Sequence, residues 1–236
     1  MTLTKVDTLA IGYHETLFGI QVQLLPGGGL FLHATRTLLV ADLHLGKTES
    51  FQRAGIPVPS GSTAAGLQRC DSMLRQTNAR HLIFLGDLFH ARTSLTDRVR
   101  AQFDAFRNRN ANCSVALVAG NHDAPMLPRL RSWGLVLHED DLTLGVGDSQ
   151  VLLSHFPGES GSGHCLRLCG HVHPSIRLPS DDLPARLPCF HLDHRQQCLT
   201  LPSSGDFTGT HTIKPGTRDR VWIAADGFVF ALPPFQ

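Results

Sequence analysis

Five short, largely apolar runs in this chain each lead into Asp, Asn or His, and that recurrence constrains the fold more than any other feature. Residues 37–41 run into Asp42-Leu43-His44, residues 81–85 into Gly86-Asp87-Leu88-Phe89-His90, and residues 114–119 into Gly120-Asn121-His122-Asp123. Further on, residues 150–154 precede His155, and residues 165–169 precede Gly170-His171-Val172-His173. A short continuous apolar run is the pattern of a strand buried on both faces. Helical spacing separates the first three runs, over 60–78 (Ala64, Leu67, Met73, Leu74) and 95–109 (Leu95, Val99, Phe103, Phe106). Strand–helix alternation implies parallel strands with crossover helices, and such sheets bind ligands beyond their carboxyl ends. Five polar strand ends are therefore expected to converge.

The remaining elements are less regular. Residues 16–25 and 30–33 read as two strands joined by the turn Pro26-Gly27-Gly28-Gly29. After about residue 135, short strands follow closely at 135–137, 142–146, 150–154, 165–169, 187–192, 197–201, 220–224 and 228–232. This second half reads as a mainly antiparallel sheet packed on the first. No linker or repeat interrupts the chain, so one domain spanning 1–236 is expected.

Composition narrows the chemistry. His occurs 14 times against 20 Asp and Glu combined, and imidazole is both a common metal ligand and the usual acid/base group near neutral pH. The net charge of +1 gives no general attraction to a polyanion or membrane. Among the cations Arg greatly outnumbers Lys, which suits phosphate contacts or simply reflects genomic base composition. The cysteines (Cys70, Cys113, Cys165, Cys169, Cys189, Cys198) form no C-x-x-C pair and read as reduced thiols. Residues 1–17 carry acidic groups and no apolar signal-peptide core, which points to the cytoplasm. The longest apolar runs, 115–119 and 228–232, are five residues, against the ~20 a membrane helix needs.

Mixed Asp, Asn and His at strand ends suit phosphate-ester chemistry. A phosphodiester repels an attacking hydroxide unless cations neutralise it, and two metals about 3.5–4 Å apart do so while activating a water. Holding them that close needs a bridging carboxylate. D-x-H and H-x-H spacing would put both side chains on one side of an extended strand end. Glycine before Asp87, Asn121 and His171 would let the backbone approach closely.

The ordered set D-x-H, G-D, G-N-H-D, H and G-H-x-H resembles the calcineurin-like binuclear metallophosphoesterases, over residues 42–173. The resemblance implies an α/β fold, a four-layer α/β/β/α sandwich of two mixed sheets. It implies that Asp42, His44 and His173 hold one metal, that Asn121, His155 and His171 hold the other, and that Asp87 bridges them. His122 would contact the scissile phosphate or protonate the leaving oxygen, and Asp123 would orient it. The stretches 42–47, 51–59, 85–91, 201–209 and Asp226-Gly227 are similar to the bacterial ligase-associated DNA damage response endonucleases. That branch implies a metal-activated hydroxide attacking DNA, single strands preferred, with two divalent ions, most often Mn2+ (Fe, Zn or Ni also suit the ligands). It further implies work beside a repair helicase, an ATP-dependent ligase and an exonuclease. His90 stands where many members carry Asp or Asn, so phosphate contact and simple packing are both open.

Lys47, Arg53 and Arg92 follow the first two motifs and would line a DNA groove, or else are plain surface cations. The relaxed P-loop pattern Ala41-x4-Gly46-Lys47-Thr48 is set aside, because Asp42 would point a negative charge at the phosphate. The loop 157–164 is too rich in Gly and Ser for an element; it is a substrate rim or an ordinary loop. The other readings are a phosphomonoesterase or small-nucleotide phosphodiesterase on the same scaffold, and, more remotely, a non-catalytic scaffold that lost its metals.

Overall fold

The computed structural model describes residues 12–177, 186–225 and 227–235. Residues 1–11, part of the segment read for a signal peptide, and Asp226 lie outside them. The first sheet runs in chain order: β1 (Tyr13–Leu17), β2 (Ile20–Leu24), β3 (Leu30–Leu32), β4 (Thr37–Val40), β5 (His81–Leu85), β6 (Ser114–Val118) and β7 (Val136–His138). Strands β1 to β4 pair antiparallel, and β4 to β7 pair parallel. Among the described residues, α2 (Ser62–Thr77), α3 (Asp97–Arg109) and α4 (Leu127–Ser132) supply the crossovers, while the short α1 (Lys47–Arg53) lies between β4 and α2.

The buried runs at β4 and β5 have two destinations. Leu38, Val40, Leu82 and Phe84 pack outward against Leu67, Cys70, Met73, Val99, Phe103 and Phe106 of the helices. Leu39, Ala41, Ile83 and Leu85 face inward to Leu153, Leu166, Leu168, Phe190, Leu199 and Trp222 of the second sheet. With both faces covered by apolar layers, alternation vanishes from the sequence.

The second sheet comprises β8 (Leu142–Val146), β9 (Ser149–Leu153), β10 (Leu166–Cys169), β11 (Pro174–Arg177), β12 (Arg186–Asp193), β13 (Cys198–Thr200), β14 (His211–Thr212), β15 (Arg220–Ala225) and β16 (Phe228–Ala231). Its path is β14-β11-β12-β13-β10-β9-β8, with β15 and β16 continuing from the other side of β12. Most pairs are antiparallel, but β9, β10 and β13 are mutually parallel at the centre. The fold is α/β with two mixed sheets face to face. Among the described residues, the helices lie with the first sheet, and the outer face of the second carries Ile176, Cys189, Ile213, Val221 and Ile223.

Several elements differ from the sequence reading. The run 16–25 is not one strand, because Phe18 and Gly19 both have positive φ (47° and 85°) and fold it into a two-residue hairpin. Strand β7 belongs to the first sheet, pairing parallel to β6 through Ala116 and Val136, not to the second half. Helices α1 and α4 and strands β11 and β14 were not expected. The loop 157–164 is tied down at its centre, since the Ser160 N–H donates to the Gln196 carbonyl and its hydroxyl to Gln197 Oε1. No helix among the described residues is long and apolar enough to cross a membrane.

Candidate metal centre

The carboxyl ends of β4, β5 and β6 in one sheet meet those of β9 and β10 in the other. Asp42, His44, Asp87, Asn121, His155, His171 and His173 gather there in two groups. In the first, ligand atoms of Asp42, His44 and His173 lie within 4.8 Å of one another; in the second, those of Asp87, His155 and His171 do. Asn121 joins the second group, its Oδ1 3.0 Å from His155 Nε2. Asp87 lies between the groups: Oδ1 is 3.5 Å from His155 Nε2, and Oδ2 is 3.9 Å from His44 Nε2.

Proton positions follow from the orienting acceptors. His155 Nδ1 is 3.0 Å from the Leu85 carbonyl, which can only accept, so Nδ1 carries the hydrogen and Nε2 presents a bare lone pair. That lone pair faces Asn121 Oδ1 and, at 3.1 Å, His171 Nδ1. His173 Nδ1 likewise donates to the Gly209 carbonyl at 2.9 Å, turning Nε2 toward Asp42 Oδ1 at 3.4 Å. Asp42 Oδ1, His173 Nε2 and His44 Nδ1 are buried without a hydrogen-bond partner. Buried acceptors facing one another at about 3 Å repel unless a cation sits among them, and neighbouring ligands of a small divalent ion are separated by about that much. The residues present fit divalent metal.

Electrostatics agree. Burial, then the neighbouring His173, Lys47, His122 and His90, push the His44 pKa down to about 2, so its ring stays neutral. Burial and His155 lower His171 as well. His173 goes the other way: burial pulls it down, but the Asp42 carboxylate, the Gly209 carbonyl and the Asp87 charge together outweigh it.

The local backbone is strained where the ligands sit. Asp42, His44, Asp87, His171 and His173 all have positive φ, between 47° and 71°. Left-handed backbone is unfavourable for residues with a Cβ and persists only where the surroundings enforce it. The D-x-H and H-x-H pairs therefore share a direction through consecutive left-handed turns, not through an extended pleat. Enforcement comes from close contact: the Asp42 N–H donates to the Gly86 carbonyl, the His44 N–H to the Asp87 carbonyl, and the His171 N–H to Asp42 Oδ2.

His122 stands beside Asp87, with Nε2 3.9 Å from Asp87 Oδ2 and its backbone N–H donating to Oδ1. Its Nδ1 donates to the His90 carbonyl at 2.6 Å. That carbonyl, not Asp123, orients the ring. The Asp123 carboxylate is fully buried and accepts the N–H groups of Leu88, Phe89 and Gly120, clamping the second and third loops together. Burial raises its pKa to about 6. The His90 ring stacks on His122 at 5.4 Å and meets His44 edge-on at 5.5 Å, and burial lowers its pKa to about 4. Lys47 lies close enough for its charge to contribute to the lowering at both His44 and His90. Arg53 and Arg92 donate instead to the carbonyls of Thr93 and Pro125. The orienting carbonyls of Leu85, His90 and Gly209 had no sequence signal, because any residue supplies one.

A calcineurin-like phosphoesterase model matches residues 35–194, more than half of the chain. The chain belongs to that family. Like its family it is a metal-dependent hydrolase of phosphoester bonds. This phosphoesterase is 32% identical to the Pseudomonas putida nuclease MPE, whose crystal structure it matches with a TM-score of 0.78 over 94% of this chain and 100% of that one. Two further structures share less. A protein of unknown function from Aquifex aeolicus, AQ665, matches at 17% identity and TM-score 0.46, over 70% of this chain and 88% of that one. The phosphoesterase Yfce from E. coli matches at 13% and 0.43, over 79% and 86%. No curated protein sequence matches significantly.

Glycine is required at two points of this phosphoesterase. A Cβ on Gly120 would lie 2.3 Å from Asp87 Oδ1, and one on Gly86, whose φ is +81°, would lie 2.1 Å from His155 Nδ1. Gly86→Ala is expected to destabilise the fold by about 2–4 kcal/mol and to abolish tight metal binding. Urea unfolding and calorimetric Mn2+ titration test this; wild-type values in both would refute it.

Proposed function

We propose that this protein is a two-metal phosphodiesterase that cuts DNA endonucleolytically, preferring single strands, in bacterial DNA repair. The observation that carries the two-metal reading is a set of buried, unpartnered atoms (Asp42 Oδ1, His44 Nδ1 and His173 Nε2) on one side of Asp87 and the bare Nε2 of buried His155 facing Asn121 and His171 on the other. The choice of DNA is supported by the 32% identity to a nuclease. Asp42, His44 and His173 hold one ion, Asn121, His155 and His171 the other, and Asp87 joins both. Two divalent ions, Mn2+ first and Fe, Zn or Ni as alternatives, supply positive charge to the phosphoryl oxygens and lower the pKa of a nearby water.

The chain's own residues do the rest. Water adds across the diester, the P–O bond to the leaving sugar oxygen breaks, and His122 Nε2 delivers a proton to that oxygen. The His90 carbonyl fixes the His122 ring for this, and Asp123 fixes the two loops on which both sit. Lys47 and His90, both near His44, contact the phosphate, with Arg53 and Arg92, engaged with the carbonyls of Thr93 and Pro125, as secondary contacts. The resemblance to ligase-associated repair endonucleases supports a cytoplasmic setting beside a helicase, an ATP-dependent ligase and an exonuclease.

Purified protein with Mn2+ is expected to nick a circular single-stranded DNA and to be silenced by a chelator. An intact circle, alongside turnover of a phosphomonoester or a small nucleotide, would replace the endonuclease reading with a phosphomonoesterase or small-nucleotide one.

A further inference from the structure

Two large aromatic side chains stand open at the rim of the metal centre. Phe156 is 48% exposed, yet its ring is fixed: it meets the His171 ring at 4.6 Å and the His155 ring at 4.8 Å. Its carbonyl is held by the Ser154 hydroxyl at 2.6 Å and by Arg167 Nη1. Phe207 is 52% exposed and has a positive φ of 58°. Its loop is fastened beside the other group of ligands. Ser203 and Gly205 donate to the Asp42 carbonyl, Arg69 pairs with Asp206, and the Gly209 carbonyl orients His173. Leaving a phenyl ring in water forfeits its burial, and the left-handed backbone at Phe207 adds strain. One half-exposed phenyl ring thus sits against the His155–His171 pair, and a second is carried on the loop fastened to Asp42 and His173.

We propose that Phe156 and Phe207 are stacking platforms for the bases that flank the scissile phosphate of a single-stranded nucleic acid. The inference rests on the nuclease reading above. Every base has a π face, so stacking binds a strand without regard to sequence, whereas bases in a duplex are already stacked and paired. A chain with a net charge of only +1 has little electrostatic hold on a polyanion, which leaves room for stacking to set affinity. The same two rings would make the enzyme select unpaired strands, a choice that metal ions alone do not make.

The test compares an ordinary DNA oligonucleotide with one of equal length whose nucleotides are abasic. Wild-type enzyme is expected to cut both, with a KM about 5- to 100-fold lower for the base-bearing strand. Phe156→Ala and Phe207→Ala should each raise that KM toward the abasic value, leave the abasic KM unchanged, and keep wild-type Mn2+ affinity by calorimetry. Phe156→Leu retains apolar bulk against His171 and is expected to behave as the alanine variant, while Phe156→Trp restores binding. Equal KM for the two strands in the wild type, or a Phe156→Leu enzyme indistinguishable from it, overturns the platforms and leaves the nuclease reading standing. Failure to cut either strand, while a small phosphodiester is turned over, overturns both.

Discussion

Asp87→Ala is expected to reduce Mn2+-dependent phosphodiester hydrolysis by at least about 10³-fold, because several kcal/mol of charge stabilisation depend on the ions it joins. Asp87 faces both groups of ligands, with one oxygen toward His155 and the other toward His44. Its loss removes a carboxylate whose two oxygens face the two groups. It also frees the His122 N–H that Oδ1 accepts, so the third loop loosens as well. Calorimetry should find fewer ions bound per chain, and circular dichroism should find the sheets intact. A folded variant with wild-type kcat would show that Asp87 does not join two ions.

His122→Ala should separate chemistry from metal loading. His122 is 37% exposed at its side chain and belongs to neither of the groups around Asp42 and Asp87, although its ligand atom lies within 4.8 Å of those of His44 and His90. Metal affinity is therefore expected to stay near wild type while kcat on DNA falls by about 10²–10⁴-fold. The leaving group provides the sharper measurement. A sugar oxygen needs a proton as it departs, whereas a nitrophenolate does not, so the variant should lose far less activity on an aryl phosphodiester. Equal losses on both substrates would remove His122 from proton delivery and leave it a phosphate contact.

The strands that position the centre were legible in the sequence because burial on both faces writes an uninterrupted apolar run, as at Leu38, Leu39 and Val40. Their polar ends stood out for the same reason, since Asp42 or Asn121 after such a run has no packing role. Helices α2 and α3 were legible from one apolar face each. What escaped was non-local. The sheet that receives β7 depends on a parallel pairing across α4, and nothing within Val136–His138 encodes it. Helix α1 is seven mostly polar residues held by its neighbours, with only Thr48 buried, and carries no periodic stripe. The reason for D-x-H spacing was also misjudged: a pleat and a pair of left-handed residues both align positions i and i+2, and only φ distinguishes them. The family resemblance implied that Asp123 orients His122, but a backbone carbonyl at His90 does so.

In the two-metal centre proposed above, neither sheet would own a complete ligand set. Asp42 and His44 come from the first sheet and His173 from the second, while Asp87 and Asn121 are met by His155 and His171 from across the seam. Each ion would therefore act as a rivet between two layers that otherwise meet through apolar packing and a few hydrogen bonds, such as that from His155 Nδ1 to the Leu85 carbonyl. Maturation of the enzyme and closure of its two halves then become a single event, since a half-assembled chain offers no ion more than a partial set of donors. The strained turns that carry those donors make this dependence mutual: the joined sheets hold the ligands in place, and the cargo they capture fastens the sheets.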